Sequence, residues 1–164
     1  MMISPSTSNS ENSQETELLI IQMMFQQRYK EVYELLSTQK STQTAALYNM
    51  AICLHWSKNY QGALTRLDSI RLMPQVNNLS HSIANSDYHG IMQKQNQTDD
   101  YLNGMSEAYI RHFPILALDA VVRLKVNCWL KLGNFTKVIA IATPIAHKGY
   151  KDITDALKLA DTSR

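Results

Sequence analysis

The sequence has few glycines, few cysteines and little charge, and each shortage removes a class of function. Of 164 residues only 5 are glycine, and none falls in a GxxxxGK[ST], GxGxxG or GxSxG pattern. A phosphate-cradling loop and a nucleophile elbow therefore have no basis. The 2 cysteines, Cys53 and Cys128, lie far apart, form no CxxC and stand at no ligand spacing from a histidine, which argues against a disulfide framework or a thiolate metal site. Both sit inside helical apolar patterns and read as reduced core residues. Charged residues make up 18% of the chain and the net charge is +2, too nearly balanced for a protein that lives on phosphate backbone. Nucleic acid is not an expected partner. Long hydrophobic runs are also missing, since Leu18 to Phe25 and Val138 to Ala146 fall short of the ~20 residues a membrane span requires. The opening residues, MMISPSTSNSENSQ, have neither a basic region nor an apolar core like that of a secretory signal. The expectation is a cytoplasmic or otherwise intracellular protein with no membrane insertion.

What the chain does have is helical periodicity. Residues 1–13 are Ser, Thr, Asn, Gln and Glu with one Pro, which predicts a disordered polar tail and leaves residues 14–164 as a single helical domain. Gln14 to Gln26 carries Leu18, Leu19, Ile20, Ile21, Met23, Met24 and Phe25, apolar over most of a helix circumference. That width suggests packing on both sides. Between Thr44 and Pro74 the apolar positions Leu47, Met50, Ala51 and Leu54, then Tyr60, Ala63, Leu64, Leu67 and Ile70, step by three and four as helices do. Pro74 is expected to stop the second of these helices. The pattern repeats: Tyr29, Tyr60 and Phe135 each open a second helix, followed at the same offsets by Val32, Tyr33 and Leu36, by Ala63, Leu64 and Leu67, and by Val138, Ile139 and Ala142. Tyr60 and Phe135 lie about two periods of ~34 residues apart, and Tyr101, trailed by Gly104, Met105 and Ala108, is the candidate for a copy between them. Pro114 suits the first turn of the helix Ile115 to Leu132, while Pro144 should kink or end the last repeat's second helix. Asp152 to Ala160 then reads as a capping helix, with Ile153, Ala156, Leu157 and Ala160 apolar. The fold class is all-α, with about four antiparallel helical hairpins and a C-terminal cap.

An aromatic followed by a small residue at plus three, a preceding helix with YNxA and a terminal Pro at this period together resemble the tetratricopeptide repeat. Leu47, Tyr48, Asn49, Ala51, Tyr60, Ala63, Leu64, Leu67 and Pro74 carry the resemblance best, and Trp129, Gly133, Asn134, Phe135, Val138 and Ile139 carry it again. Lys125, Val126 and Val138 depart from the family's preferences. The resemblance implies hairpins stacked in a right-handed superhelix, with first helices lining a concave groove that binds an extended or helical peptide, and it implies no catalysis and no cofactor. Groove-facing positions would be Glu17, Ile21 and Phe25; Tyr48, Ile52 and Trp56; His89, Gln93 and Gln97; and Arg123, Asn127 and Lys131.

Such a groove runs from apolar to basic, so it would suit a partner peptide with an apolar anchor and acidic groups, held by Tyr48, Ile52, Trp56, Arg123, Asn127 and Lys131. Simple packing accounts for the same pattern, since helical faces are amphipathic for structural reasons alone. The Lys and Asn set that grips a C-terminal carboxylate in chaperone-binding members is absent here, with Asn49 its sole match. Two other readings stay open: assembly into a homo- or hetero-oligomer through Leu18 to Phe25, and an RNA-binding helical repeat. The histidines form one local cluster with an acid, His81, Asp87 and His89, whose metal or acid–base use has no motif behind it. The expectation is a non-enzymatic interaction module or scaffold subunit.

Overall fold

A computed structural model describes residues 8–73 and 86–163. Among the described residues the chain is helical, with no strand. In order the helices are α1 (Ser8–Phe25), α2 (Tyr29–Gln39), α3 (Thr44–Trp56), α4 (Tyr60–Asp68), α5 (Ser86–Gln95), α6 (Glu107–His112), α7 (Pro114–Lys131), α8 (Phe135–Ala142) and α9 (Lys151–Thr162). Short 3₁₀ segments occupy Asp100–Leu102 and Thr143–Lys148. No helix among the described residues is long and apolar enough to cross a membrane.

One turn geometry builds the hairpins α1–α2, α3–α4 and α7–α8. Gln27, Lys58 and Gly133 take left-handed φ values of 59°, 65° and 71°. The next residue then donates its N–H to the carbonyl five positions back: Arg28 to Met23 at 2.9 Å, Asn59 to Leu54 at 2.8 Å and Asn134 to Trp129 at 3.0 Å. This closes the orphan carbonyls at each helix end and reverses the chain. Asn59 and Asn134 go on to cap the second helix, accepting from the N–H groups of Gly62 and Lys137.

The centre is α3, buried continuously from Ala45 to Cys53. Val32 and Leu36 of α2 pack in the same core as Ala63, Leu64 and Leu67 of α4. α7 lies against α4, and Lys125 at that seam pairs with Asp68 at 2.9 Å. A second core is made by Val126, Val138, Ala142, Ile145 and Ile153, and Trp129 packs against both cores. Pro114 is at the first position of α7. Past α8 the chain tightens into a 3₁₀ segment through Pro144 and stops at Gly149, φ 75°, before α9 covers the end with Ile153, Ala156 and Ala160.

The structure differs from the sequence reading at several points. The expected third hairpin does not form: Tyr101 opens no helix but lies in a 3₁₀ turn, and α5 buries none of its residues. Instead α7 packs directly against α4, and the described residues 69–73 and 86–113 come between them in the chain. After α5 the N–H of Thr98 bonds to Gln95, so the five-back bond that folds the other hairpins is not made. α4 ends at Asp68, before Ile70, which still packs against the core from beyond the helix, and Pro74 lies outside the described residues. α1 reaches back to Ser8, into the polar stretch, with residues 10–15 all exposed. Its apolar circumference is covered on one side only: Ile20 and Met24 are buried, whereas Leu18 is 70% and Phe25 89% exposed.

Candidate functional site

Residues 98–107 of the chain run across α1, α3 and α7. The segment crosses the helices in reverse order. At its start Arg123 of α7 donates to the carbonyl of Thr98 at 2.8 Å and to Oδ1 of Asp100 at 2.7 Å. The Tyr101 hydroxyl accepts from Nδ2 of Asn127 at 3.0 Å, and the Tyr101 carbonyl accepts from the hydroxyl of Tyr48. Asn49 of α3 then grips the main chain of Met105 on both sides, accepting from its N–H at 2.9 Å and donating to its carbonyl at 3.0 Å. Finally Glu17 of α1 accepts from the N–H of Glu107 at 2.6 Å, while the Glu107 carboxylate accepts from the N–H of Ala45 in the first turn of α3.

Why the segment fits is local. Gly104 passes so close to the helices that an added Cβ would lie 2.6 Å from Sδ of Met24 and 3.3 Å from Oδ1 of Asn49. Met105 and Tyr101 are buried on either side of it, and Asn103 between them faces solvent. Above the segment a cleft of about 900 Å³ opens, walled by Tyr88, Ile91 and Met92 of α5 and by Tyr109, Phe113 and Leu116 around the start of α7. It reaches down to Tyr48, Tyr101 and Arg123.

Arg123 is the electrostatic centre. It is 2% exposed, and its guanidinium lies between the rings of Tyr101 and Tyr150, 4.6 and 4.3 Å from their centroids. Its Nη2 and Nε also donate to Asp152 of α9, at 2.7 and 3.0 Å. Burial works against the guanidinium charge, and the Asp152 and Asp100 carboxylates overcome it, so Arg123 titrates above its usual range. Beside it, Asp119 accepts from Lys148 at 2.7 Å and from the Tyr150 hydroxyl at 2.8 Å. Burial pushes the phenols of Tyr48, Tyr101 and Tyr150 upward, and it pushes the thiols of Cys53 and Cys128 up to about 12.

No family model, no curated protein and no solved structure matches this chain. The geometry is therefore the basis for assigning the site.

The six residues proposed from sequence are divided by the structure. Tyr48, Arg123 and Asn127 come together on the internal segment, and Ile52 is buried in the core beside them. They do not line an open groove, because residues 98–107 cover them. Trp56 is 61% exposed and lies against Tyr29, ring centroids 5.2 Å apart, at the turn end of the hairpin. Lys131 is exposed. His89 and Gln93 on α5 and Gln97 just past it are exposed. His81 lies outside the described residues, and among the described residues no three His, Cys, Asp or Glu side chains come close enough to hold a metal. Sequence reasoning missed Asp100, Asp119, Tyr150 and Asp152, and set Asn49 aside. One signal was available: Arg123 interrupts the apolar positions Ala120, Leu124 and Val126, and a guanidinium there requires carboxylate partners.

Proposed function

We propose that this chain is a non-enzymatic protein-interaction module of the tetratricopeptide type, its hairpins stacked in a right-handed superhelix whose first-helix groove holds an extended segment of a partner protein. One observation carries the reading. Asn49 bonds both main-chain groups of Met105, which is how a side-chain amide grips an extended backbone whatever its sequence. Arg123 is no phosphate site, because Asp100 and Asp152 already pair it, and this weighs against the RNA-binding alternative. The test is panning of random linear peptides against the wild-type chain and against Gly104→Val, whose added methyls wedge the internal segment away from Met24. Enrichment on either chain that disappears with Asn49→Ala supports the groove reading; no enrichment on both overturns it.

A second reading rests on the bare side of α1, where Leu18, Leu19 and Phe25 are exposed together. Large apolar side chains grouped on one helix favour burial against another chain, here a second copy through α1 faces. Sedimentation velocity across a concentration series should then show association that Leu18→Glu abolishes; a single monomeric species throughout removes this reading.

A further inference from the structure

We infer that residues 98–107 are an intramolecular stand-in for the partner, and that the groove selects an extended segment with an acidic residue, then an aromatic, a glycine three positions on, and an unbranched apolar residue after it. The inference rests on the peptide-groove reading above and adds the chemistry of the ligand and its competitor. Each selected feature has its reader. Arg123 reads the carboxylate of Asp100 at 2.7 Å, and its cation covers the face of the Tyr101 ring. Asn127 reads the phenol. At Gly104 an added Cβ would force Sδ of Met24 to shift and crowd Asn49, which disfavours a side chain there, and Met105 is read through its main chain by Asn49 and through its burial. Asn103 is exposed and goes unread.

The groove is also built to survive exchange of its occupant. When Asp100 leaves, Arg123 keeps Asp152 at 2.7 Å, so no buried cation is stranded. When Tyr101 leaves, the Tyr48 hydroxyl still has the Ala120 carbonyl at 3.5 Å, while half-buried Asn127 loses the partner of its Nδ2 and keeps Nε2 of His55 on its Oδ1 at 2.7 Å. The segment is open to attack from one side through the cleft over Tyr101, Gly104 and Met105. Upstream of it α5 buries none of its residues, and the chain is held at Asn96, which donates to the Lys148 carbonyl and accepts from the Lys151 N–H, both at 2.9 Å, so release starts downstream of that anchor.

A tethered segment competes at an effective concentration in the millimolar range, so a free peptide binds poorly until the tethered copy is weakened. The probe is a fluorescein-labelled peptide with the sequence of residues 96–108, titrated by anisotropy against wild-type chain and Gly104→Val. About tenfold or tighter binding to Gly104→Val is expected, with a similar loss when the peptide itself carries Tyr101→Ala or Asp100→Ala. Should circular dichroism show Gly104→Val unfolded, hydrogen exchange on the wild-type chain decides: with ~1 mM peptide the amides of Tyr101 and Met105 should exchange faster, and unchanged exchange overturns the inference. Panned peptides that bind wild type and Gly104→Val equally, without the acidic–aromatic pair, also overturn it while leaving the groove reading intact. Failure of every peptide on both chains overturns the two together.

Discussion

Replacing Arg123 by methionine keeps the length and apolar stem of the side chain while deleting its charge and its donors. The guanidinium makes contacts of 2.7 Å to Asp100, 2.7 Å to Asp152 and 2.8 Å to the Thr98 carbonyl. Asp152 has a side chain only 14% exposed, so it would be left as a nearly buried carboxylate with no cation, whereas Asp100 can turn toward water. Removing one partner of a buried pair costs about 3–5 kcal/mol. Solvation of Asp100 places the pair loss toward the lower end, and loss of the contacts with the Tyr101 and Tyr150 rings adds about 0.5–1 kcal/mol each. The expected total is about 4 kcal/mol, a large share of the ~5–15 kcal/mol that holds a domain together. In urea, with a slope of about 2 kcal/mol/M, the midpoint should fall by roughly 2 M. Adding Asp152→Asn to Arg123→Met removes the stranded charge and should recover about 1–2 kcal/mol, a coupling that only groups in contact show. A loss under about 0.5 kcal/mol for Arg123→Met would be the behaviour of a solvated surface residue, and the assignment of Arg123 as the pin between the segment, α7 and α9 would be wrong.

The two aromatic positions of α3 should separate sharply in thermal melts: Tyr48→Ala opens a buried cavity and should cost about 3–5 kcal/mol, while exposed Trp56→Ala should cost under about 1 kcal/mol. The left-handed turn residues offer a test of the shared hairpin geometry, with Gln27→Gly and Lys58→Gly each expected to stabilise by about 0.5–1 kcal/mol and Gly133→Ala to destabilise by about 1 kcal/mol in denaturant titrations. Equal effects of opposite sign would be missing if the turns were not equivalent. The thiols of Cys53 and Cys128 are pushed up to about 12 in the folded chain, above an unfolded value of about 8.5. The stability that the neutral thiols contribute is present in full below about pH 8.5 and lost as pH climbs toward 12, at up to ~1.4 kcal/mol per pH unit for each thiol. At pH 8 a disulfide reagent should label the native chain slowly and the urea-unfolded chain at once; fast native labelling would show that the thiols are not sealed in the core.

The sequence made the three hairpins readable because a period of three and four survives wherever a helix has one buried face, as along Leu64 and Leu67 or Val138 and Ala142. It also marked Pro144 as a kink or stop, since a proline acts through backbone geometry alone. What misled was Tyr101. The offsets to Gly104, Met105 and Ala108 suit a helix, but Gly104 runs tight against Met24 and Asn49, and Met105 is apolar because it is buried. Spacing records that residues make contact without recording what they touch. Glu17, Tyr48, Arg123 and Asn127 could be picked out by their helical spacing, whereas the segment they bond could not. A return of the chain across more than 50 positions, as from Asn49 to Met105, leaves no local trace. The Asp100 and Asp152 partners of Arg123 lie 23 and 29 positions away, one in a 3₁₀ turn and the other at the start of α9, and no helical spacing links them to it.

The all-round burial of α3 has a consequence for how the chain comes off the ribosome. Its neighbours α2 and α4 are made close to it in time, but Tyr101 and Ala120, which close over Tyr48, are made 53 and 72 residues later. Until α7 emerges, the side of α3 that carries Tyr48 and Ile52 faces water beside the already exposed Leu18 and Phe25. An early-terminated chain ending near Asp68 would therefore be sticky and short of partners, a substrate for chaperones. α7, made well after α4, is the helix that makes the earlier hairpins safe.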